Sequence, residues 1–451
     1  MDERALQDLK VLDVGHYIAG PYCTKLLAGL GAEVIKIEKP VEGDGARRVG
    51  PFPGDVPHPE KSGLFLYLNT NKKSITLDLK TSTGREIFKA LVKDAHVLVE
   101  NFEPRVLPGL GLDYQTLEKI NPGLIMTSIS SFGQTGPYKD YKSTNMTSLA
   151  MGGMMYITGA PDREPLQNGG SQAEYHGGLN GFVASMTALH YRDITGVGQQ
   201  ADVSIMECIA SILEYRSVAY SYQGAVTGRW NSRHPFSWPH GDIYPCKDGY
   251  AAFPPIATDW DVAAQLLDRP EIAAPEFSTL KGRVEKEEEW EAHVTAGLAE
   301  LTRKEVFHNG QEMRLGFGYV ATAEDLVDDP HLKERGFYEI VDTPGVGRRP
   351  YPGMCFKLSK TPGNIRMPAP RLGEHNAFIL RDRLGRSEQE LAELEKEKVI
   401  GTVPEQDTEL TPEMVREMLT APLSMLQEVG AIIRVEPDYL EQLGLKEEKS
   451  D

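Results

Sequence analysis

A single carboxylate stands out in the stretch "NGGSQAEYHGGLNG" (168–181). It is Glu174, and it lies between two glycine pairs, Gly169–Gly170 and Gly177–Gly178. Glycine pairs let the backbone bend sharply and approach a ligand closely. A carboxylate is already ionised at neutral pH, with a reference pKa near ~4, and needs no general base to act as a nucleophile. Glu174 is therefore either the reactive group of an active site or a solvated loop residue.

The composition limits the kinds of partner that the chain can have. Its 451 residues include 66 acidic and 48 basic side chains, which gives a formal net charge of −18. This balance disfavours nucleic acid and anionic membrane surfaces, although a local cluster of lysines can still bind an anionic ligand. The N-terminal stretch is charged rather than apolar, and no apolar run approaches the ~18 residues of a membrane span. We therefore expect a cytoplasmic protein.

The motifs of common cofactor and metal sites are missing from the sequence. Its four cysteines are scattered without a C-x-x-C pair, so we expect neither a metal centre nor a disulfide framework. The turn "GHYIAG" (15–20) departs from G-x-G-x-x-G, which disfavours NAD and FAD. P-loop, zincin and serine-hydrolase motifs do not occur either.

Predicted strands and helices alternate over the first 130 residues. Strands are predicted at 10–15, 33–38, 74–79, 96–101 and 123–130, and helices at 20–31 and 85–94. Such alternation is typical of a doubly wound parallel sheet, which binds ligands at the carboxyl ends of its strands. The predicted fold class is therefore α/β, with a Rossmann-like large domain.

A smaller α+β domain is predicted where the sequence becomes rich in proline and aromatic residues. We expect a large domain at 1–225 and 336–400, a small domain at 226–335 and a helical extension at 401–451. Further helices are predicted at 178–193, 203–223 and 411–430 from their apolar spacing. Glu174 then falls in a glycine-rich loop before the first of these helices.

Five motifs together resemble the class III CoA-transferases, the family of formyl-CoA and crotonobetainyl-CoA transferases and 2-methylacyl-CoA racemases. They are "AGPYCTKLLAGLGAEVIKIEKP" (19–40), "LNTNKKSITLDLKT" (68–81), "VLVENFEP" (97–104), "ISSFGQTGPYKD" (129–140) and "TGVGQQADVSIME" (195–207). Their order and spacing are kept from about Leu9 to Ile400. The resemblance implies an enzyme with an acyl-CoA and a small carboxylic acid as substrates, and an interlaced dimer.

The resemblance also implies a set of residues that bind coenzyme A. These are Ile18 and Ala19 at the pantetheine end, and Lys39, Leu68, Asn69, Thr70, Asn71, Asn101, Phe102, Lys142 and Asn145 along the groove. The 3′-phosphate and pyrophosphate of CoA need positive charge and backbone donors. Lys72 and Lys73 are further candidates for that charge, and ordinary surface lysines are the alternative for each of them. Gly109 stands where some relatives have an arginine.

The nucleophilic aspartate of the family falls, by position, on Glu174, which is one methylene longer. Such a carboxylate would form a mixed anhydride with the acyl group and then a glutamyl-CoA thioester, which the acceptor acid attacks. A misplacement of about 1 Å can lower a rate on the order of 100-fold unless the backbone compensates. Asn145 stands where many relatives have an acid, and Thr144 stands where the racemase branch has a histidine, which disfavours a racemase.

Two functions therefore stay open. The first is a working CoA-transferase with Glu174 as nucleophile. The second is a non-catalytic subunit of a heteromer whose homologous partner chain keeps the aspartate, and the changes at Glu174 and Asn145 favour it. Heteromeric members of the family include enzymes that activate benzylsuccinate-type acids, which suggests one substrate class. The aromatic stretch 234–242 suggests a large or apolar acyl group.

Overall fold

The computed structural model describes residues 3–213, 215–229, 243–253, 259–402, 420–436 and 438–445. The chain divides into two compact units. The larger consists of Met1–Gly152, Gly169–Ile212 and His331–Asp451, and the smaller of Gly153–Asn168 and Leu213–Pro330. The aromatic stretch 234–242 and the first nine residues of the helix predicted at 411–430 lie outside the described residues.

The larger unit is built on a six-stranded parallel sheet with the order β3-β2-β1-β4-β5-β6. Its strands are β1 (Lys10–Asp13), β2 (Glu33–Glu38), β3 (Lys72–Thr76), β4 (Val97–Glu100), β5 (Ile125–Ser130) and β6 (Gln199–Ser204). The strand order reverses between β1 and β4, and in such sheets ligands bind in the crevice at the carboxyl ends beside this point. The predicted α/β fold is confirmed, and β6 is a strand that the sequence pattern did not predict.

Eight α-helices belong to this part of the larger unit, within the described residues 3–213, together with short 3-10 helices at Gly45–Arg48 and Pro53–Asp55. The α-helices are α1 (Ala19–Gly29), α2 (Gly63–Leu68), α3 (Ser82–Val92), α4 (Val106–Gly109), α5 (Tyr114–Leu117), α6 (Asn145–Met151), α7 (Gln172–Thr195) and α8 (Ile205–Ser211). Helix α3 shows why they form: the Thr81 hydroxyl caps its first turn, and Ile87, Phe88 and Leu91 bury one apolar face in the core.

The smaller unit contains a three-stranded antiparallel sheet and an aromatic core. Its strands are β7 (Ile243–Cys246), β8 (Gly249–Ala252) and β9 (Gly318–Tyr319), and its helices are α9 (Tyr215–Gln223), α10 (Trp260–Leu266), α11 (Leu280–Glu285), α12 (Glu287–Leu298), α13 (Arg303–Glu312) and α14 (Ala323–Asp328). The ring centroids of Phe253 and Phe317 are 4.4 Å apart, and those of Trp260 and Trp290 are 5.0 Å apart.

The chain then continues in the larger unit and covers the outer edge of β3. Its elements are α15 (Pro330–Glu334), the antiparallel strands β10 (Tyr338–Thr343) and β11 (Gly347–Pro352), a π-helix (Phe378–Arg383) and α16 (Glu388–Lys396). Asn71 N donates to Met367 O at 3.1 Å, and Thr76 N donates to Asn376 Oδ1 at 2.9 Å. These bonds satisfy edge groups of β3 that would otherwise stay unpaired.

The C-terminal extension contains α17 (Leu423–Glu428) and α18 (Tyr439–Gln442). It contacts the segment that follows β2: Gly50 N donates to the Thr420 hydroxyl at 2.8 Å, and Leu423 N donates to the Asp55 carboxylate at 2.7 Å. Across the ranges described, no helix combines the length and apolarity needed to cross a membrane.

Candidate active site

The turn between β1 and α1 forms one wall of the candidate site at the carboxyl edge of the sheet. Asn101, which follows β4, holds this turn. Its Oδ1 accepts a hydrogen bond from His16 N at 2.7 Å, and its Nδ2 donates to His16 O at 2.9 Å. Gly15 and Gly20 pack so closely that a Cβ on either would lie 2.9 Å from the Cα of the other. Asn101, predicted to bind CoA, thus fixes the backbone of the turn.

Four fully buried charges lie beneath the turn. Lys36 Nζ donates to Gly15 O at 2.8 Å and lies 2.8 Å from Asp44 Oδ2. Lys72 Nζ lies 2.9 Å from Asp13 Oδ2. Burial favours a raised pKa for Asp13, but Lys36 and Lys72 outweigh burial and hold that pKa below its ordinary value. Lys72 therefore supports the turn, and its buried ammonium is not exposed to bind a CoA phosphate.

A cavity of about 560 Å³ lies beside the turn, at the carboxyl ends of β1, β2 and β3. Apolar side chains form much of its wall: Val14, Ile37, Leu77, Leu79, Phe102, Val106 and Leu110. Three exposed lysines also line it, Lys39, Lys80 and Lys398. An apolar wall suits a flat heterocyclic base, and lysine ammonium groups suit phosphate.

The structure brings two of the predicted CoA ligands, Lys39 and Phe102, to this cavity. It adds Leu77–Lys80 and Lys398, which reasoning from the sequence missed. A signal for Leu77–Lys80 was present, because this stretch forms the carboxyl end of the strand predicted at 74–79 and the residue after it, within one of the family motifs. No signal in the sequence pointed to Lys398, because its position depends on how the segment around Val399 and Gly401 packs beside the end of β3.

The predicted ligands Leu68–Asn71 do not line the cavity. They precede β3 and so lie at its amino end, and a strand of five residues separates the two ends by ~16 Å. All four residues are buried. Asn69 Nδ2 donates to Phe65 O at 2.9 Å, and Asn71 Oδ1 accepts from Arg366 N at 2.6 Å. The structure gives these residues internal partners, and Lys72 Nζ, which donates to Asn69 Oδ1 at 2.8 Å, links them to the buried charges beneath the turn.

Glu174 lies in the first turn of α7. The predicted glycine-rich loop is wrong from Gln172 onwards, because α7 begins there and runs for 24 residues through Gly177–Gly178. These glycines serve packing rather than bending. A Cβ at Gly178 would lie only 2.6 Å from Ala19 O, so only glycine lets α7 approach the start of α1 this closely.

The same contact brings Glu174 near the β1–α1 turn. Glu174 and Gly178 are four residues apart and therefore lie on one face of the helix, about one turn (~5.4 Å) from each other. Gly178 meets the carbonyl of Ala19, and Ala19 and Ile18 are both buried. The predicted nucleophile and the predicted pantetheine-binding turn are thus neighbours in the structure.

The environment of Glu174 differs from that of an ordinary surface carboxylate. Its side chain is partly buried, and burial raises its pKa above the ordinary value. The N-terminus of α7 acts in the other direction, because a helix dipole favours negative charge in the first turn. Among the described residues, no side chain forms an ion pair with this carboxylate. Glu174 is not among the residues that line the cavity. A desolvated, unpaired carboxylate at this place is nevertheless a candidate for a reactive group.

Comparison with known proteins assigns a family to this arrangement. Residues 6–376 match the model of CoA-transferase family III. The chain belongs to this family. The crystal structure of a CAIB/BAIF family protein from Brucella suis matches it with a TM-score of 0.76 and 33% identity, over 84% of this chain and 99% of that one.

Curated relatives extend over most of this CoA-transferase. The succinyl-CoA–D-citramalate CoA-transferase of Chloroflexus aurantiacus is 36% identical over 402 residues, 88% of this chain and 98% of its own. The alpha subunit of a succinyl-CoA–L-malate CoA-transferase from the same organism is 32% identical, over 88% of this chain and 93% of the subunit's length. The beta subunit is 33% identical, over 88% of this chain and 98% of the subunit's length. The predicted family and the predicted enzyme class, a CoA-transferase, are confirmed.

Asn145 caps the helix that carries Glu174 in this CoA-transferase. Its Oδ1 accepts from Ala173 N at 3.0 Å, and its Nδ2 donates to Gly170 O at 3.3 Å. Ser171, directly before α7, makes no side-chain cap. Asn145 therefore satisfies a backbone N–H of the first turn, as a capping residue does. Its contact with CoA stays a prediction.

Lys142 is not among the residues that line the cavity. Its side chain is 74% exposed and forms an ion pair with Glu103. Hydrogen bonding to Lys142 holds the pKa of Glu103 below its ordinary value. In the part of the chain that the structure describes, no cluster of three His, Cys, Asp or Glu side chains is arranged to hold a metal ion.

Proposed function

We propose that the chain moves CoA from an acyl-CoA to a carboxylic acid with Glu174 as its nucleophile. One observation carries the proposal: the face of α7 that bears Glu174 packs at Gly178 against Ala19 O, at the start of α1 and directly after the turn whose residues Val14 and His16 line the cavity. A CoA molecule with its nucleotide in the cavity would pass this turn and present its thioester to Glu174.

The reaction then needs only nucleophilic exchange at carbonyl carbons. A Glu174 carboxylate oxygen attacks the thioester carbonyl, the C–S bond breaks, and a mixed anhydride and CoA thiolate result. The thiolate attacks the glutamyl carbonyl and releases the donor acid as a carboxylate, which leaves a glutamyl-CoA thioester. The acceptor carboxylate attacks this thioester and re-forms an anhydride and a thiolate. Attack of the thiolate on the acceptor carbonyl yields the new acyl-CoA and regenerates the Glu174 carboxylate.

Small dicarboxylic acids are the substrate class that we propose, with succinyl-CoA as donor. Support comes from the relatives, whose names pair succinyl-CoA with D-citramalate or L-malate. A benzylsuccinate-type acid, which the resemblance suggested, is a substituted succinate and belongs to the same chemical class.

A trapping experiment tests the nucleophile. The purified chain is incubated with succinyl-CoA and a panel of dicarboxylic acids, treated with hydroxylamine, and mapped by peptide mass spectrometry. We expect a hydroxamate on Glu174 that is absent from Glu174→Gln. Glu207→Gln is a matched control, because Glu207 is also the third residue of its helix, α8. A Glu174→Gln enzyme with full exchange activity, or an adduct on another residue, would overturn the assignment.

A second candidate is a non-catalytic subunit of a heteromeric CoA-transferase. It is favoured by the glutamate in place of the family aspartate and by relatives that are named as alpha and beta subunits. In that case the chain alone forms no adduct and exchanges no CoA, and a co-purifying homologous chain with the aspartate restores activity. Exchange by the isolated chain would rule this candidate out.

We further propose that the chain assembles as an interlaced homodimer or heteromer. Support comes from apolar side chains on α7 that stay exposed in the single chain: Leu179, Val183 and Ile194 are 44%, 53% and 72% exposed. A monomer seldom leaves a stripe of this kind uncovered. Light scattering should give at least twice the chain mass of 49.9 kDa, and a monomer in dilute solution would contradict the proposal.

A further inference from the structure

Lys398 lines the cavity from a part of the chain beyond the family match, which ends at residue 376. Its place is fixed by the backbone around it. Val399 O accepts from Asp78 N at 2.8 Å, and Gly401 N donates to the Thr76 hydroxyl at 2.9 Å. Val399 itself is buried in the core of the larger unit. Lys398 therefore sits on a rigid segment at the carboxyl end of β3.

The backbone conformation of Lys398 is unusual, and its ammonium group faces the cavity without an ion-pair partner among the described residues. Its φ is +58°, in the left-handed region that non-glycine residues rarely adopt. Lys39 lies 3.8 Å from Glu42, whereas neither Lys80 nor Lys398 forms an ion pair within the described ranges. A strained backbone that presents an unpaired cation to a cavity points to a role in binding an anion.

The position of β3 in the sheet indicates which part of CoA lies there. The thioester belongs at the β1–α1 turn beside Glu174, and β3 is separated from β1 by β2. Two strand spacings amount to ~10 Å, so Lys398 lies at the end of the cavity away from the reacting carbonyl. In CoA the group most distant from the thioester is the 3′-phosphorylated adenosine.

We propose that Lys398 binds the 3′-phosphate of CoA, with Lys80 as its neighbour on the turn after β3. The proposal rests on the proposed function, because it places the nucleotide of the substrate in this cavity. Lys398 would thereby make the enzyme distinguish CoA from 3′-dephospho-CoA.

Calorimetric titration of the full chain with CoA and with 3′-dephospho-CoA tests this role. We expect Lys398→Ala to weaken CoA binding about tenfold, since a charge-assisted contact to phosphate is lost, and to leave 3′-dephospho-CoA binding unchanged. Lys396→Ala is the matched control: Lys396 is an exposed lysine two residues earlier that does not line the cavity. It should bind both nucleotides like the wild type.

The outcomes separate this proposal from the proposed function. Equal weakening of both nucleotides by Lys398→Ala would assign the lysine to the pyrophosphate or to folding and overturn the 3′-phosphate role. Unchanged binding of both would overturn any role in the site. A wild-type chain that binds neither nucleotide would overturn the proposed function as well. Circular dichroism of each variant shows that the fold is retained.

Discussion

The two ends of strand β3 carry similar residues and use them differently. At the amino end, Asn71 is bonded to the returning chain, Lys72 pairs with Asp13, and Lys73 pairs with Glu33. At the carboxyl end, Lys80 lines an open cavity with no ion-pair partner in the described part of the chain. The difference separates polar residues whose internal partners hold the fold from Lys80, whose side chain stays available to a ligand.

The largest effect is expected where a buried partner is removed. Lys72→Met should lower the free energy of unfolding by about 3 kcal/mol, because the Asp13 carboxylate loses its nearest cation inside the core. Lys73→Met should cost less than about 1 kcal/mol, since its partner Glu33 keeps Arg383. Urea titration followed by circular dichroism measures both. Equal losses would show that burial of the partner does not decide the effect.

Asn145, which caps helix α7, should contribute to both stability and catalysis. Asn145→Ala should lower the free energy of unfolding by about 1 kcal/mol and lower kcat more than it changes the Kd for CoA, because α7 positions Glu174. Asn145→Asp keeps the acceptor and should restore stability, while its charge raises the pKa of Glu174 further. Loss of CoA affinity alone in Asn145→Ala would instead support the predicted contact with CoA.

The unpaired carboxylate should show opposite effects on catalysis and stability. Since burial raises the pKa of Glu174 above 4.5, the rate should fall as the pH drops through that raised value. Between 4.5 and the raised pKa the folded state binds more protons than the unfolded state, so stability decreases as the pH rises through this window. Glu174→Gln should remove this dependence and be more stable than the wild type at pH 7. Parallel stability profiles of the two proteins would contradict this assignment.

The smallest effect on stability is expected from a substitution at Lys398. Lys398→Gly removes a side chain from a left-handed position and should raise the free energy of unfolding by up to about 1 kcal/mol while it weakens CoA binding. A gain in stability with a loss of affinity would sharpen the contrast between the two ends of β3. A loss of both would place Lys398 among the structural residues.

Regular periodicity made much of the fold predictable. Strand β2 was predicted with its observed bounds, 33–38, because a buried apolar strand flanked by turn residues leaves little choice. The motif around β3 was recognised, but the strand was predicted at 74–79 and is observed at Lys72–Thr76, so Leu77–Lys80 follow the strand and line the cavity. Which part of the motif lines the cavity depends on where β3 ends in the assembled sheet.

The helix at Glu174 was missed for a different reason. Glycine lowers helix propensity, so the pair Gly177–Gly178 indicated a loop. The reason for a glycine at position 178 is a tertiary contact: α7 approaches Ala19 O more closely than any Cβ allows. Asn145 as a cap and Lys398 as a cavity residue depend likewise on contacts between distant parts of the chain, which no local pattern reveals.

The cover over the edge of β3 has a consequence for synthesis of the chain. The bond between Thr76 and Asn376 joins residues 300 positions apart. At about 5–20 residues per second, the ribosome needs roughly 15–60 s to supply the covering segment after β3 has emerged. Throughout that interval the nascent sheet presents an open strand edge, which is a template for pairing with other chains. Rapid overproduction should therefore favour aggregation, and co-expressed chaperones should raise the yield of folded enzyme.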